Sequence, residues 1–310
     1  LSEGVVVRAG RGFYDVQTDG GRTLACKLRG NLKKNLTYTS VGGRRRVERA
    51  RKLQETDAVA VGDRVRICES DAVIEEIHPR RAALTRRSGN ERERQTLVAN
   101  LELAVIVFAA AEPQPDRFKL DRFLVLAEDA ELEILLVLNK SELASPEEID
   151  AFIREYSTIG YDVLAVSAKT GRGIEGLRER LSGRISALCG PSGVGKSSLL
   201  NAVQPGLALK TGETGEITHA GRHTTVRAEL LSLELGGWVA DTPGLRQVEF
   251  WNLPAEDVAF CFPELAPLIG TCKFADCRHR TEPGCAVQSA LDRGALTPRR
   301  YQSYLQMTGP

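Results

Sequence analysis

The sequence predicts a multidomain α/β protein in three parts: an N-terminal OB-type β-barrel over residues 1–80, a doubly wound, mostly parallel sheet around a phosphate loop over residues 81–245, and a zinc-binding helical module over residues 246–310. Three observations predict it. Short alternating runs divided by glycine turns fill the N-terminal part, as in small barrels. Continuous apolar runs then alternate with helical patterns, as buried parallel strands do. Residues 190–197 satisfy G-x-x-x-x-G-K-[ST] in full, and Cys272–Cys285 crowds together the residue types that bind zinc.

Composition narrows the class. A chain of 310 residues is long enough for two or three domains. No run approaches the ~18 apolar residues that span a bilayer, and the N-terminus lacks a signal-peptide layout. A cytoplasmic monomer without a membrane partner is expected. Seven cysteines in such a chain argue for metal or free thiols rather than disulfides. The net charge of +1 hides an asymmetry: Arg22 to Lys52 holds eleven Lys/Arg and one acid, Glu48.

The barrel strands are expected at Gly4–Ala9, Phe13–Gln17, Thr23–Leu28, Arg64–Cys68 and Val73–Ile77, with Asp19-Gly20-Gly21 as a hairpin turn. A long basic excursion separates the third strand from the fourth. It carries Arg29, Lys33, Lys34, Arg44, Arg45 and Arg46. Charge of this density is either a solvated, mobile loop or a clamp on a phosphate backbone; on an OB-type barrel, RNA is the favoured reading. A second basic cluster, Arg80, Arg81, Arg86, Arg87, Arg92 and Arg94, reads equally as a solvated helix face or an RNA contact. His78 ends a strand and receives no role.

In the middle part, Leu101–Ala110, Leu132–Leu138 and Tyr161–Val166 are expected strands. Helices are expected at Asp116–Asp129, at Pro146–Thr158 behind a Ser145 N-cap, and at Ile174–Leu181. Ligand loops lie at the carboxyl ends of such strands. Asn139-Lys140-Ser141-Glu142 and Ser167-Ala168-Lys169 both sit there. The Glu142 carboxylate can accept from the N1–H and N2–H of guanine, a donor pair that adenine lacks. Asn139 can bridge to the base edge, Lys140 can lie over its face, and the loop of Ser167, Ala168 and Lys169 can offer an N–H to O6. GTPases usually place Asp where Glu142 stands, so the carboxylate shifts by more than about 1 Å if nothing moves.

The strand Ile185–Cys189 leads into Gly190, Pro191, Ser192, Gly193, Val194, Gly195, Lys196 and Ser197, and a helix opens near Ser198. Glycines let successive N–H groups turn toward one phosphate, and the helix N-terminus adds its dipole. Lys196 is expected on the β- and γ-phosphates and Ser197 on Mg²⁺. Further on, Asp241-Thr-Pro-Gly244 is a D-x-x-G at a strand end. Asp241 is expected to hold Mg²⁺ through water, the Gly244 N–H to sense the γ-phosphate, and Thr224 or Thr225 to close onto the metal. Leu245 can neither donate nor accept where many GTPases orient water with Gln. His223 is the candidate replacement, against the ordinary alternative of a packing or solvent-facing residue.

The guanine-reading elements precede the phosphate loop, which reverses the common GTPase order. On these motifs, the chain resembles the RsgA (YjeQ/YloQ) family of circularly permuted ribosome-assembly GTPases over nearly its whole length. The resemblance implies a barrel, a permuted GTPase domain and a zinc domain, a catalytic role for His223 within Gly221–Thr225, and the small ribosomal subunit and its RNA as partners of a subunit-stimulated GTPase. A non-hydrolysing GTP-gated RNA-binding checkpoint and a large-subunit assembly factor are the alternatives.

Cys272-x₄-Cys277-x-His279-x₅-Cys285 supplies three thiolates and one imidazole, a complete tetrahedral set for one structural Zn²⁺. Cys26, Cys68, Cys189 and Cys261 are expected to be buried thiols. A last helix, Pro298–Met307, is expected to pack on the zinc module or touch RNA.

Overall fold

A computed structural model of the chain describes residues 1–10, 12–41, 44–52, 59–87, 94–207, 228–241 and 253–309. Two compact units divide it. The first comprises Leu1–Glu102, Leu181–Ala187 and Glu216–Gly244; the second comprises Leu103–Arg180, Leu188–Gly215 and Leu245–Pro310.

In the first unit, β1 (Ser2–Ala9), β2 (Tyr14–Thr18) and β3 (Thr23–Leu28) form an antiparallel meander. The chain then departs into a hairpin, β4 (Lys34–Val41) and β5 (Arg44–Lys52), before returning as β6 (Arg64–Cys68) and β7 (Val73–Ile77). β7 runs parallel to β3, and β6 pairs with both β7 and β1, which closes a five-stranded barrel. Alternation drives it. Val6, Val16, Cys26, Val65, Ile67 and Ile74 are sealed inside, and each fully buried aliphatic side chain contributes roughly 1.5–3 kcal/mol. The basic excursion is thus largely a β-hairpin rather than a loop.

Of the second basic cluster, Arg86, Arg87 and Arg94 are also stranded, Arg80 and Arg81 precede the first of these strands, and Arg92 lies outside the described residues. β8 (Ala83–Arg87) and β9 (Arg94–Ala99) form an antiparallel hairpin with Leu84 opposite Val98. This corrects the helix alternative: cross-strand pairing of these residues prevails over the mixed-charge pattern. Arg80 is held by a bidentate pair, Nε to Asp63 Oδ1 at 2.7 Å and Nη2 to Asp63 Oδ2 at 2.8 Å. The fully buried Asp63 also accepts from the Ala60 N–H at 2.7 Å. His78 directly follows β7 and pairs with Glu3 at 2.8 Å.

The second unit begins with β10 (Leu103–Ala109), every residue of which is buried. Next come α1 (Arg117–Asp129), β11 (Glu133–Asn139), α2 (Pro146–Ser157), β12 (Asp162–Ala165) and α3 (Ile174–Leu181). β10, β11 and β12 pair in parallel. Asp116 caps α1, accepting from the Lys119 N–H at 3.0 Å. Ser145 and Glu148 form a reciprocal capping box on α2, an arrangement in which the cap contributes about 1 kcal/mol. Then come β13 (Ile185–Cys189), whose residues 185–187 belong to the first unit, and α4 (Lys196–Val203). Back in the first unit, β14 (Glu229–Ser232) is antiparallel to β15 (Trp238–Asp241), and β15 runs parallel to β13.

The C-terminal module adds α5 (Ala286–Asp292) and α6 (Pro298–Thr308). Val258, Phe262, Leu265, Val287, Leu296 and Tyr304 share a core with Val125 of α1. Helix α6 packs. Its Arg300 is 0 % exposed and bonds Asp121 Oδ1 of α1 at 2.8 Å and Glu264 at 2.6 and 3.0 Å. Arg299 joins Asp121 Oδ2 at 2.7 Å. Burial opposes the Arg300 charge, but the bonds to Glu264 and Asp121 hold its pKa above the ordinary value. Among the described residues, no helix is long and apolar enough to cross a membrane.

Candidate nucleotide site and metal centre

The phosphate loop joins β13 to α4, and its glycines are dictated by geometry. Gly190 has φ 139°, and a Cβ there would lie 2.1 Å from the Val107 carbonyl oxygen of β10. At Gly195, φ is 92° and a Cβ would lie 2.4 Å from the Asn139 amide nitrogen. Only glycine fits either position. Lys196 donates to the carbonyl oxygens of Gly190 and Pro191 at 2.7 and 2.6 Å, so its ammonium lies across the inside of the loop. Ser192, Gly193, Ser197 and Ser198 are exposed at the mouth of the loop, whereas Val194 is buried beneath it. Burial pushes the thiol of Cys189, just before the loop, up to about 12, which keeps it protonated and inert at neutral pH.

Asn139 ends β11 and is 1 % exposed. Its Nδ2 donates to the Val194 carbonyl at 2.9 Å, and its Oδ1 accepts from the Ala168 N–H at 3.2 Å. One amide therefore ties the phosphate loop to the loop holding Ser167, Ala168 and Lys169. The sequence suggested that Asn139 bridges to a base edge; here its amide oxygen and nitrogen bond the two flanking loops. Lys140 takes the left-handed conformation at φ 58°, and its ammonium donates to the Glu112 carbonyl. Glu112 is a partner that sequence reasoning missed, since nothing local marks a carbonyl as a receptor. Glu142 is exposed, and a hydrogen bond from the buried Ser167 hydroxyl holds its carboxyl below the usual range. Lys169 is exposed nearby in sequence. The second unit thus ties the phosphate loop and the loop of Ser167, Ala168 and Lys169 to Asn139.

The switch residues are a different matter. His223, Thr224, Thr225, Gly244 and Leu245 lie outside the described residues. Asp241 is the last residue of β15, a strand end as expected. Of the basic residues, Arg29 pairs with Glu75; Lys33 closes a 3₁₀ turn and Lys34 opens β4. Arg44, Arg45 and Arg46 lie opposite Val41, Ser40 and Thr39 in the hairpin ladder.

The four candidate zinc ligands converge. The Sγ and imidazole nitrogen atoms of Cys272, Cys277, His279 and Cys285 all lie within 4.8 Å of one another. Cys272 and Cys285 Sγ are 3.9 Å apart and stand 3.4 and 3.5 Å from His279 Nδ1. A tetrahedron with metal–ligand bonds of about 2.0–2.3 Å has edges near 3.5–3.8 Å, so these residues fit zinc. Supporting groups surround the ligands. The Ala286 N–H points at Cys272 Sγ at 3.3 Å, and Tyr301 Oη donates to the His279 carbonyl at 2.8 Å. Glu282 accepts from the N–H groups of Arg278, Arg280 and Thr281 at 2.8, 2.7 and 3.0 Å. Backbone hydrogen bonds, its own first and then that from Arg278, bring its carboxyl down to about 2. Of the remaining thiols, Cys26 and Cys261 are buried as expected, but Cys68 is half-buried. It is the last residue of β6, where its thiol meets Ser70 Oγ at 3.2 Å.

The RsgA GTPase family profile matches residues 77–251. The chain belongs to the RsgA GTPase family. Small ribosomal subunit biogenesis GTPase RsgA of Gemmatimonas aurantiaca is 45 % identical over 310 residues, covering 98 % of this chain and 95 % of the relative. The RsgA of Moorella thermoacetica is 44 % identical over 306 residues, with the same coverage of 98 % and 95 %. The crystal structure of YjeQ from Thermotoga maritima matches with a TM-score of 0.76 at 34 % identity, covering 99 % of this chain and 97 % of that one. YloQ, a circularly permuted GTPase, matches with a TM-score of 0.74 at 30 % identity, covering 99 % and 93 %. As an RsgA GTPase the chain is a GTP hydrolase, and the reversed motif order is the circular permutation of that fold.

Proposed function

We propose that this RsgA GTPase family chain hydrolyses GTP in the assembly of the small ribosomal subunit, in the cytoplasm and as a monomer. The observation that carries the nucleotide reading is the Asn139 amide, which joins the phosphate loop to the base-reading loop. The ribosomal reading is supported by relatives named for small-subunit biogenesis that align along nearly the whole chain. In functional terms the division is residues 1–80 for RNA, 81–245 for nucleotide and 246–310 for zinc.

The chemistry follows from the residues. Glu142, kept ionised by Ser167, accepts from guanine N1–H and N2–H, while the Ala168 backbone stands beside O6. Lys196 exchanges the carbonyls of Gly190 and Pro191 for phosphate oxygens. Mg²⁺, held by Ser197, Asp241 and Thr224 or Thr225, supplies charge neutralisation when bound. The Gly244 N–H meets the γ-phosphate, and His223 orients water where Leu245 cannot. Cys272, Cys277, His279 and Cys285 hold one structural Zn²⁺.

Two measurements test this reading. Co-sedimentation with separated ribosomal subunits should show GTP-dependent binding to the small subunit, and binding only to the large one overturns the assignment. Single-turnover hydrolysis should be stimulated by small subunits and lost in His223→Ala. No stimulation in wild type supports a non-hydrolysing checkpoint instead, and an unchanged variant removes the histidine from the mechanism.

A further inference from the structure

The barrel exposes an aromatic side chain that no part of the nucleotide site uses. Phe13 is 50 % exposed in the turn between β1 and β2. It precedes Tyr14, which is buried and pairs with Cys26 in the β2–β3 ladder. Alternation therefore puts Phe13 on the outer face of the barrel, opposite Lys27. The Lys27 ammonium lies over the Phe13 ring, 5.3 Å from its centroid, and it forms no ion pair among the described residues. Beyond Lys27, β3 ends at Leu28 and the chain enters the basic hairpin β4–β5. The neighbouring acid on that face, Asp15, is approached by Arg8 at 3.8 Å. An exposed ring, a cation and the root of a hairpin rich in arginine and lysine therefore share one end of the barrel.

We infer that Phe13 is a stacking platform for an unpaired RNA base, with Lys27 and the β4–β5 hairpin tracking the adjoining phosphates. The inference rests on the RNA-binding reading of the barrel and adds to it: single-stranded rather than duplex RNA is the ligand. A buried ring would explain itself as core, but a half-exposed one leaves a large apolar face in water. A base covers that face whatever its identity, because every base has a π-surface. The phosphates on either side meet positive charge. An aliphatic partner surface would gain nothing from the cation beside the ring.

The test uses the full chain and a fluorescent single-stranded oligoadenylate of about 10 nucleotides, within the site size of such barrels. Phe13→Ala should weaken binding about 5- to 100-fold, the range that one stacked base confers, and Phe13→Trp should restore it. Binding to heparin, a polyanion without bases, should be the same in all three proteins. The ring is exposed, so the melting temperature should not move. Equal affinity of wild type and Phe13→Ala for the single strand overturns the inference, as does a parallel loss for heparin. If wild type binds neither single-stranded nor duplex RNA, the RNA reading of the barrel itself fails.

Discussion

The Asn139 amide nitrogen reaches the Val194 carbonyl oxygen across 2.9 Å, and this bond fixes the phosphate loop to the end of β11. The same side chain accepts from Ala168 N at 3.2 Å. Asn139→Ala would leave a buried carbonyl and an N–H without partners, at a cost of about 1–3 kcal/mol each. Affinity for a fluorescent GDP analogue should fall at least about tenfold by equilibrium titration. Wild-type affinity in the variant would remove Asn139 from the site's architecture.

Glycines of the phosphate loop should not be equivalent. A Cβ at Gly190 meets the Val107 carbonyl at 2.1 Å, whereas at Gly193 the nearest atom is Pro113 Cδ at 3.9 Å. Gly193→Ala therefore incurs only backbone strain, about 1–2 kcal/mol. Gly190→Ala must also move a strand. The melting temperature and GDP titration should show the second variant far more damaged than the first.

Glu142 carries a pH prediction. Its carboxyl is held low, chiefly by the Ser167 hydroxyl. A depressed pKa keeps the carboxylate charged below the ordinary range, and guanine binding is lost as pH falls through the depressed value. Ser167→Ala lets the pKa rise, so GDP affinity should decline from a higher pH than in wild type. Titrations between about pH 4 and 7 measure the displacement. Coincident profiles would refute the coupling.

Asp121 meets two guanidinium groups, Arg300 at 2.8 Å and Arg299 at 2.7 Å, and is itself fully buried. Asp121→Ala strands buried positive charge and should destabilise the chain by about 3–5 kcal/mol. Thermal or urea melts give the value. Pairing Asp121→Leu with Arg300→Met should recover part of the loss, because it removes the charge rather than its partner. The network also joins α6 to α1, so any movement of the C-terminal module has to carry α1 with it or break these bonds.

Glu282 shapes the backbone between His279 and Cys285, two of the proposed zinc ligands, by accepting three N–H groups. Glu282→Ala should weaken zinc retention about 10- to 100-fold in competition with a chelating dye. With its carboxyl at about 2, Glu282 stays ionised through mild acidification. Metal loss near pH 5 should then follow protonation of the ligands and occur in wild type too.

Sequence alone located the phosphate loop, the Asn139–Glu142 and Ser167–Lys169 stretches, the permuted order and the Cys272–Cys285 cluster, because each is a short motif with a recognisable spacing. It also located the barrel strands, since apolar alternation leaves a local signature such as that at Tyr14 and Val16. The β8–β9 hairpin was not legible, because its charge pattern suits a helix until Leu84 meets Val98. Nor was the fate of Arg80 and Arg300, which look like surface cations until Asp63 and Asp121 are found buried beside them. Asn139 was readable as a site residue but not as a strut. Its partners, Val194 O and Ala168 N, are backbone atoms distant in sequence, and only the folded chain brings them to one amide.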